Sequence, residues 1–89
     1  MAKFELNIYG EDDEIIKKYE TDHIRFGVLV EAAKITDMTD DKTESIKKLV
    51  KRVFVGLTDE EIMLADWTDV VNTFIQVSAM AGNINSSKN

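Results

Sequence analysis

Several common components of proteins are missing from this sequence. The chain has no cysteine, which excludes a disulfide framework and a thiolate metal site. It has no run of about eighteen apolar residues and no start resembling a signal peptide, so we expect a soluble protein that is not exported. Basic residues are scarce: eleven Lys and Arg stand against seventeen Asp and Glu. The net charge of -6 disfavours binding to nucleic acid or to an anionic membrane.

Groups that catalyse reactions or bind metals are equally scarce. His23 is the only histidine, and no Ser-His-Asp arrangement, HExxH motif or glycine-rich phosphate loop accompanies it. We interpret it as a structural or surface residue. The acidic runs at 11–14 (EDDE) and 36–41 (TDMTDD) are explained by a solvated turn and by helix capping rather than by a calcium loop. The sequence therefore predicts neither an enzyme nor a metal or cofactor site.

The composition is typical of one small folded domain. With 89 residues, of which 44% are hydrophobic and 31% charged, the chain can build one core and is too short for two. We therefore expect a single domain over residues 1–89, with a polar C-terminal tail that frays from about residue 83.

The N-terminal third predicts a β-hairpin followed by a helix. Phe4, Leu6 and Ile8 alternate with polar residues, which is the pattern of a half-buried strand. A turn follows, and residues 14–24 are compatible with a returning strand or with a helix; we favour a hairpin over about 3–20. A short helix is predicted over 26–35, and its apolar side consists of Val28, Leu29, Ala32 and Ile35.

The strongest helical pattern lies over about 42–54. Its apolar stripe, spaced at i, i+3, i+4, i+7 and i+8, consists of Ile46, Leu49, Val50, Val53 and Phe54. Lys47, Lys48, Lys51 and Arg52 fall on the opposite arc of the helix. A solvated charged face is the favoured interpretation of these four residues, and recognition of an acidic partner is the alternative.

The stretch VFVGLTDEEI at 53–62 predicts the end of one helix and the start of another. Gly56 can adopt the left-handed conformation that closes a helix. Thr58 and Glu61 have the spacing of a capping box, and Leu57 and Ile62 that of the accompanying hydrophobic staple. A helix over about 59–65 should therefore follow.

The last helix is predicted over about 67–81, with Asp66 as its N-cap and Gly82 as its end. We assign its inward stripe to Val70, Val71, Phe74, Ile75 and Ser78. The favoured interpretation of Trp67 is a core residue between neighbouring helices, and the alternative is an exposed binding anchor. Met63, Val77 and Met80 remain outside the assigned stripes and are candidates for contact with a partner. The expected fold class is α+β, mostly α, with an N-terminal hairpin and a small bundle of three to four helices.

One segment carries a resemblance to a known family. VFVGLTDEEIMLADWTDVVNTFIQVSAMAG, at 53–82, resembles the C-terminal half of the tail assembly chaperones of long-tailed phages of Gram-positive bacteria. The opening FELNIYGEDDEIIKKYETDHIRFGVLVEAAKI, at 4–35, is similar to the N-terminal part of that family. Many relatives have a proline before the Gly-Leu pair, whereas this chain has Val55 there and contains no proline, which affects the stiffness of the joint.

The resemblance implies a non-enzymatic chaperone related to the lambda type. Such a protein coats the tape measure protein, keeps it soluble in the host cytoplasm and helps to recruit tail tube protein, and it is absent from the finished virion. Self-association along the tape is implied as well. The family often makes a longer product by ribosomal frameshifting, and the ending Ser-Lys-Asn is compatible with an A-rich slippery heptamer.

Two other functions are compatible with the residues. The net charge of -6 permits an acidic DNA-mimic inhibitor, but the carboxylates concentrate at turns and helix starts, where capping explains them. A small helical regulatory protein could use the face from Lys47 to Arg52, although four cations without a recognition helix are weak support. The chaperone is the leading interpretation.

Overall fold

The computed structural model describes residues 4–35 and 43–86, and the side chains as far as Gly82. An antiparallel hairpin is followed by four helices, which confirms the predicted α+β, mostly α class. The predicted capping cluster at 36–41 and the ending at 87–89 lie outside the described residues. The elements are β1 Phe4–Tyr9, β2 Ile15–Thr21, α1 Phe26–Ile35, α2 Thr43–Val53, α3 Asp59–Met63 and α4 Trp67–Ser86.

The hairpin forms where the alternating pattern predicted it. Phe4 pairs with Thr21 and Tyr9 with Ile15, and an irregularity between Ile8 and Tyr9 leaves Ile16 as an extra residue in β2. The turn is tight: a Cβ atom on Gly10 would lie 2.3 Å from Glu14 Oε1 and 2.7 Å from Ile16 Cγ2. Only glycine fits there without a shift of its neighbours. Because the segment after the turn forms β2, Ile15–Thr21, its interpretation as a returning strand is confirmed.

One core joins the elements. The inner side of β1 and most of the predicted stripes of α1 and α2 are buried, with Leu29 and Ile46 only partly so. From β2 only the partly buried Tyr19 packs against this core. The buried apolar residues are Phe4, Leu6, Ile8, Val28, Ala32, Ile35, Leu49, Val50, Val53, Phe54, Leu57, Ile62, Val77 and Ala81.

The predicted register of α4 is only partly right: Val70 and Phe74 pack against the core as predicted, but they are not its most buried residues. The buried residues are Thr73, Val77 and Ala81, while Ile75, which we assigned to the inward stripe, is 57% exposed. The buried face is thus displaced by about one residue, or roughly 100°, from the predicted one. The assignment of Val77 to a partner-binding surface is wrong for the same reason, because its side chain is fully buried.

The predicted end of α4 is also wrong. The helix continues through Gly82 to Ser86. A glycine closes a helix when it adopts a left-handed conformation, and among the described glycines only Gly56 has a positive φ. Gly82 therefore remains a helical residue, at a cost in propensity of about 1 kcal/mol relative to alanine.

Candidate partner-binding surfaces

The α2–α3 joint has the predicted capping geometry. Gly56 has a φ of 92°, and the N–H of Leu57 donates to the carbonyl oxygen of Phe54 at 3.1 Å. The N–H of Glu61 donates to Thr58 Oγ1, and the N–H of Thr58 donates to Glu61 Oε1, both at 3.1 Å. The capping box is confirmed, and both staple residues are buried in the core.

The carboxylate of Glu61 also binds the hairpin, which the sequence did not predict. It accepts a hydrogen bond from the Tyr19 hydroxyl, and Oε2 lies 2.9 Å from Lys17 Nζ. The Tyr19 hydrogen bond, followed by those from Lys17 and the Thr58 N–H, lowers the pKa of Glu61 to about 2. The ring of Tyr19 packs against Phe54, with centroids 6.4 Å apart. One carboxylate therefore joins the start of α3 to β2.

The α3–α4 joint pairs with the outer edge of β1. The N–H of Tyr9 donates to the Leu64 carbonyl at 3.0 Å, and the N–H of Asp66 donates to the Asn7 carbonyl at 2.8 Å. Asp69 Oδ2 accepts the N–H of Asn7 at 3.0 Å. The backbone groups along this part of the β1 edge therefore already have partners.

Asp66 has a second role beyond its predicted N-cap. Its Oδ2 accepts the N–H of Asp69 at 3.0 Å, which confirms the cap, and its Oδ1 accepts the Tyr9 hydroxyl at 2.8 Å. That hydrogen bond raises the pKa of Tyr9. Asp66 thus fixes the start of α4 to the end of β1, and it positions the residues that precede and follow it.

An apolar surface lies at this joint. Met63 is 74% exposed, Leu64 51% and Trp67 77%, so the core interpretation of Trp67 is wrong. Ile16, which is 61% exposed, borders a depression of about 400 Å³ together with Leu64. We call Ile16, Met63, Leu64 and Trp67 the α3–α4 surface. The sequence did not single out Ile16 or Leu64, because no local pattern distinguishes them from their apolar neighbours.

Carboxylates lie beside the α3–α4 surface on the side of the hairpin turn. The rim of the depression carries Glu11, Asp12 and Glu14 from the hairpin turn. Asp59 and Glu60 lie exposed in the first turn of α3, and Asp59 is paired with Lys51. The sequence contains no Lys or Arg between Arg52 and Lys88, so α3 and α4 contribute no cation to this region.

The predicted basic face of α2 is largely involved in contacts within the chain. Lys51 pairs with Asp59 of α3, and Arg52 Nη1 lies 2.9 Å from Glu31 Oε1 of α1. Lys47 Nζ is 3.9 Å from Glu44 on the same helix. Lys48 is exposed and lines an open cleft of about 550 Å³ between α1 and α2. Two of the four cations thus join α2 to neighbouring helices.

The other candidate residues do not extend the α3–α4 surface. Met80 is 38% exposed and lines a separate depression of about 410 Å³ with Phe4 and His23. His23 is exposed, and its Nδ1 lies 2.9 Å from Asp22 Oδ1. Among the described residues, no group of three or more His, Cys, Asp and Glu could hold a metal ion, and no helix is long and apolar enough to cross a membrane.

These features define a small α+β domain with an exposed apolar surface bordered by carboxylates. Comparison with protein-family models, curated proteins and solved structures found no significant match. The features that bear on function are therefore the α3–α4 surface and the residues at 4–35 and 53–82 that carry the family resemblance.

Proposed function

We propose that this protein is a tail assembly chaperone of a long-tailed phage, which binds the tape measure protein and keeps it soluble in the host cytoplasm. The observation that carries the proposal is the α3–α4 surface, where Met63, Leu64 and Trp67 are each more than half exposed. Large apolar side chains grouped at the surface of a small domain are typical of a binding site for another protein. The family resemblance supplies the identity of that partner.

The charge of the chain suits this role. A tape measure protein presents long apolar helical surfaces, which aggregate unless other subunits cover them. Many copies of a domain with a net charge of -6 would cover such surfaces and keep the resulting complex soluble through mutual repulsion. Recruitment of tail tube protein and self-association of copies along the tape belong to the same proposal.

Co-expression with the tape measure protein encoded in the same genome tests the function. We expect the tape measure protein to move from the insoluble to the soluble fraction and to co-purify with the chaperone. Expression of the tape measure protein alone is the control. A tape measure protein that stays insoluble and unbound in the presence of this chain would overturn the proposal.

The genome offers an independent test. The proposal predicts a very long reading frame of the tape measure type immediately downstream of this gene. A frameshift-extended form further requires a repeated slippery run across codons 87–89, and its absence from the nucleotide sequence would remove the long form from the proposal.

A further inference from the structure

The α3–α4 surface is held in place by backbone and side-chain contacts on two sides. The Leu64 carbonyl accepts the N–H of Tyr9, and Asp66 binds both the backbone and a side chain of β1. On the hairpin side, the tight turn at Gly10 places Ile16 and Glu14 directly against the turn backbone. Because the backbone of the joint is fixed before a partner arrives, binding would cost little additional backbone entropy in this chain.

The charges around the surface favour a cationic partner. Glu11, Asp12 and Glu14 line the depression beside Leu64, and none of them has a resolved contact with a Lys or Arg side chain in the described part of the chain. Lys17, the basic residue that follows Ile16 in β2, is paired with Glu61. A partner with Lys or Arg next to its apolar residues would therefore meet carboxylates of opposite charge.

The backbone pairing at the joint restricts the shape of the partner. The edge of β1 beside the surface is already hydrogen-bonded to Leu64, Asp66 and Asp69, so an extended segment cannot add to it as a further strand. Along the β1 edge the groups left exposed are side chains, which fit a partner whose own backbone hydrogen bonds are internally satisfied. An α-helix has this property.

We propose that the α3–α4 surface binds an amphipathic α-helix of another protein, with the exposed Trp67 as an anchor and with Lys or Arg of the helix facing the carboxylates of the hairpin turn. The identity of the helix rests on the proposed function, which assigns it to the tape measure protein. The basic helix of a second copy is a poorer fit, because the apolar residues Leu49, Val50 and Val53 of α2 are buried in its own core.

Two synthetic peptides of about 20 residues, long enough to form a helix, test the charge preference. Both carry the same stripe of Leu and Ala, with Lys beside the stripe in one peptide and Glu in the other. We expect the Lys peptide to bind in isothermal titration calorimetry, with an affinity that falls as salt is added, and the Glu peptide to bind at least about tenfold more weakly. Equal affinities, or no binding of the Lys peptide, would overturn the proposal.

Variants of the chain test the location. Trp67→Ala should weaken binding of the Lys peptide by about tenfold or more, since a large exposed aromatic is the usual anchor of such a surface. Phe26→Ala is the matched control, because Phe26 is also aromatic and 69% exposed but begins α1, beyond the opposite end of the hairpin from the turn. Circular dichroism confirms that both variants are folded. An equal loss in both variants, or no loss in Trp67→Ala, would contradict the assignment.

The carboxylates are tested separately. Glu11→Gln combined with Asp12→Asn should reduce the salt dependence of Lys-peptide binding, whereas Glu20→Gln, at the end of the hairpin farthest from the turn, should leave it unchanged. An unaltered salt dependence in the double variant would show that these carboxylates do not face the peptide.

Co-expression separates this inference from the proposed function. If the wild-type chain does not solubilise the tape measure protein but binds the Lys peptide through Trp67, the proposed function fails and the helix-binding surface stands. If the wild-type chain and Trp67→Ala solubilise the tape measure protein equally well, the function stands and this surface is wrong. A dimer in light scattering that Trp67→Ala abolishes would overturn the inference by showing that a second copy occupies the surface.

Discussion

The side chain of Glu61 bonds both to its own helix start and to the hairpin. Its carboxylate accepts hydrogen bonds from Tyr19, Lys17 and the N–H of Thr58, although the side chain remains 23% exposed. Capping alone would account for the bond to Thr58. The bonds to Tyr19 and Lys17 come from a strand more than forty residues earlier, so Glu61 has both a local and a long-range role.

The low pKa of Glu61 predicts a specific dependence of stability on pH. Since the folded-state pKa is about 2 and the ordinary value is 4.5, the ionised carboxylate stabilises the fold above pH 4.5, and this contribution is lost as the pH falls from 4.5 to about 2. Glu61→Gln keeps the shape and can still cap. We expect it to melt below the wild type at neutral pH and to approach the wild type near pH 2. Melting curves followed by circular dichroism measure the difference, and a constant difference across this range would contradict the role of the charge.

The cap at Thr58 predicts a smaller, purely local effect. Thr58→Ala removes the acceptor of the Glu61 N–H and should lower the free energy of unfolding by about 1 kcal/mol. Thr68→Ala, at an exposed position in the first turn of α4, is the control and should change it by less than about 0.5 kcal/mol. Urea unfolding measures both. Equal stability of the two variants would show that the capping box contributes nothing in solution.

At the scale of elements, the register of α4 determines which of its apolar residues form the core. Val77 is fully buried, and Ile75 is 57% exposed two positions earlier. Both residues are β-branched and apolar, so composition cannot distinguish them. The face of α4 is instead set by what packs against it, namely α1, α2 and β1.

This register predicts opposite results for two similar substitutions. Val77→Ala should destabilise the chain by roughly 1 to 3 kcal/mol through lost burial and the cavity that remains. Ile75→Ala should change the unfolding free energy by less than about 0.5 kcal/mol, because its side chain is mostly in water. Denaturant unfolding of both variants is the measurement. If Ile75→Ala lowered the free energy of unfolding more than Val77→Ala, the register predicted from the sequence would be the correct one.

The elements that could be predicted from the sequence are those whose signals are local. The alternation of Phe4, Leu6 and Ile8, the stripe of α2 and the capping box at Thr58 each depend on residues a few positions apart, and all three are present in the structure. The predictions for Val77 and Trp67 are wrong because the burial of these residues depends on packing between distant segments. Helix periodicity gives the spacing of a stripe, but α4 has apolar residues on more than one side, and only its neighbours select the buried one.

The α3–α4 surface is only partly predictable from the sequence, because part of it depends on contacts between distant segments. Met63 was identified because it lay outside every stripe, and it is exposed. Leu64 and Ile16 were not, because their proximity arises from the pairing of the α3–α4 joint with β1 and from a bulge in β2. The pairing joins residues about 50 or more positions apart in the sequence, and the bulge is an irregularity of one pair of strands. No pattern within a single segment predicts either feature.

At the scale of the whole molecule, charge and apolar surface are unevenly distributed. Between residues 26 and 57, the described segments α1 and α2 carry the cations Lys34, Lys47, Lys48, Lys51 and Arg52. From residue 58 to 86 the chain has five carboxylates and no Lys or Arg. The region that contains the α3–α4 surface is therefore the more acidic one, and α2 offers cations without exposed apolar residues. This distribution does not resemble a DNA-reading face, in which cations surround a helix that contacts bases.

The position of Trp67 allows the state of the whole molecule to be followed in solution. It is the only tryptophan and is 77% exposed, so its fluorescence should be quenched readily by iodide or acrylamide, and its emission should shift little on unfolding in guanidinium chloride. Circular dichroism should report a single cooperative transition over the same range, because residues from β1 and all four helices share one core. A blue-shifted, protected emission at all protein concentrations would show that Trp67 is buried within the chain. The same shift appearing only as concentration rises would show that copies associate through the α3–α4 surface.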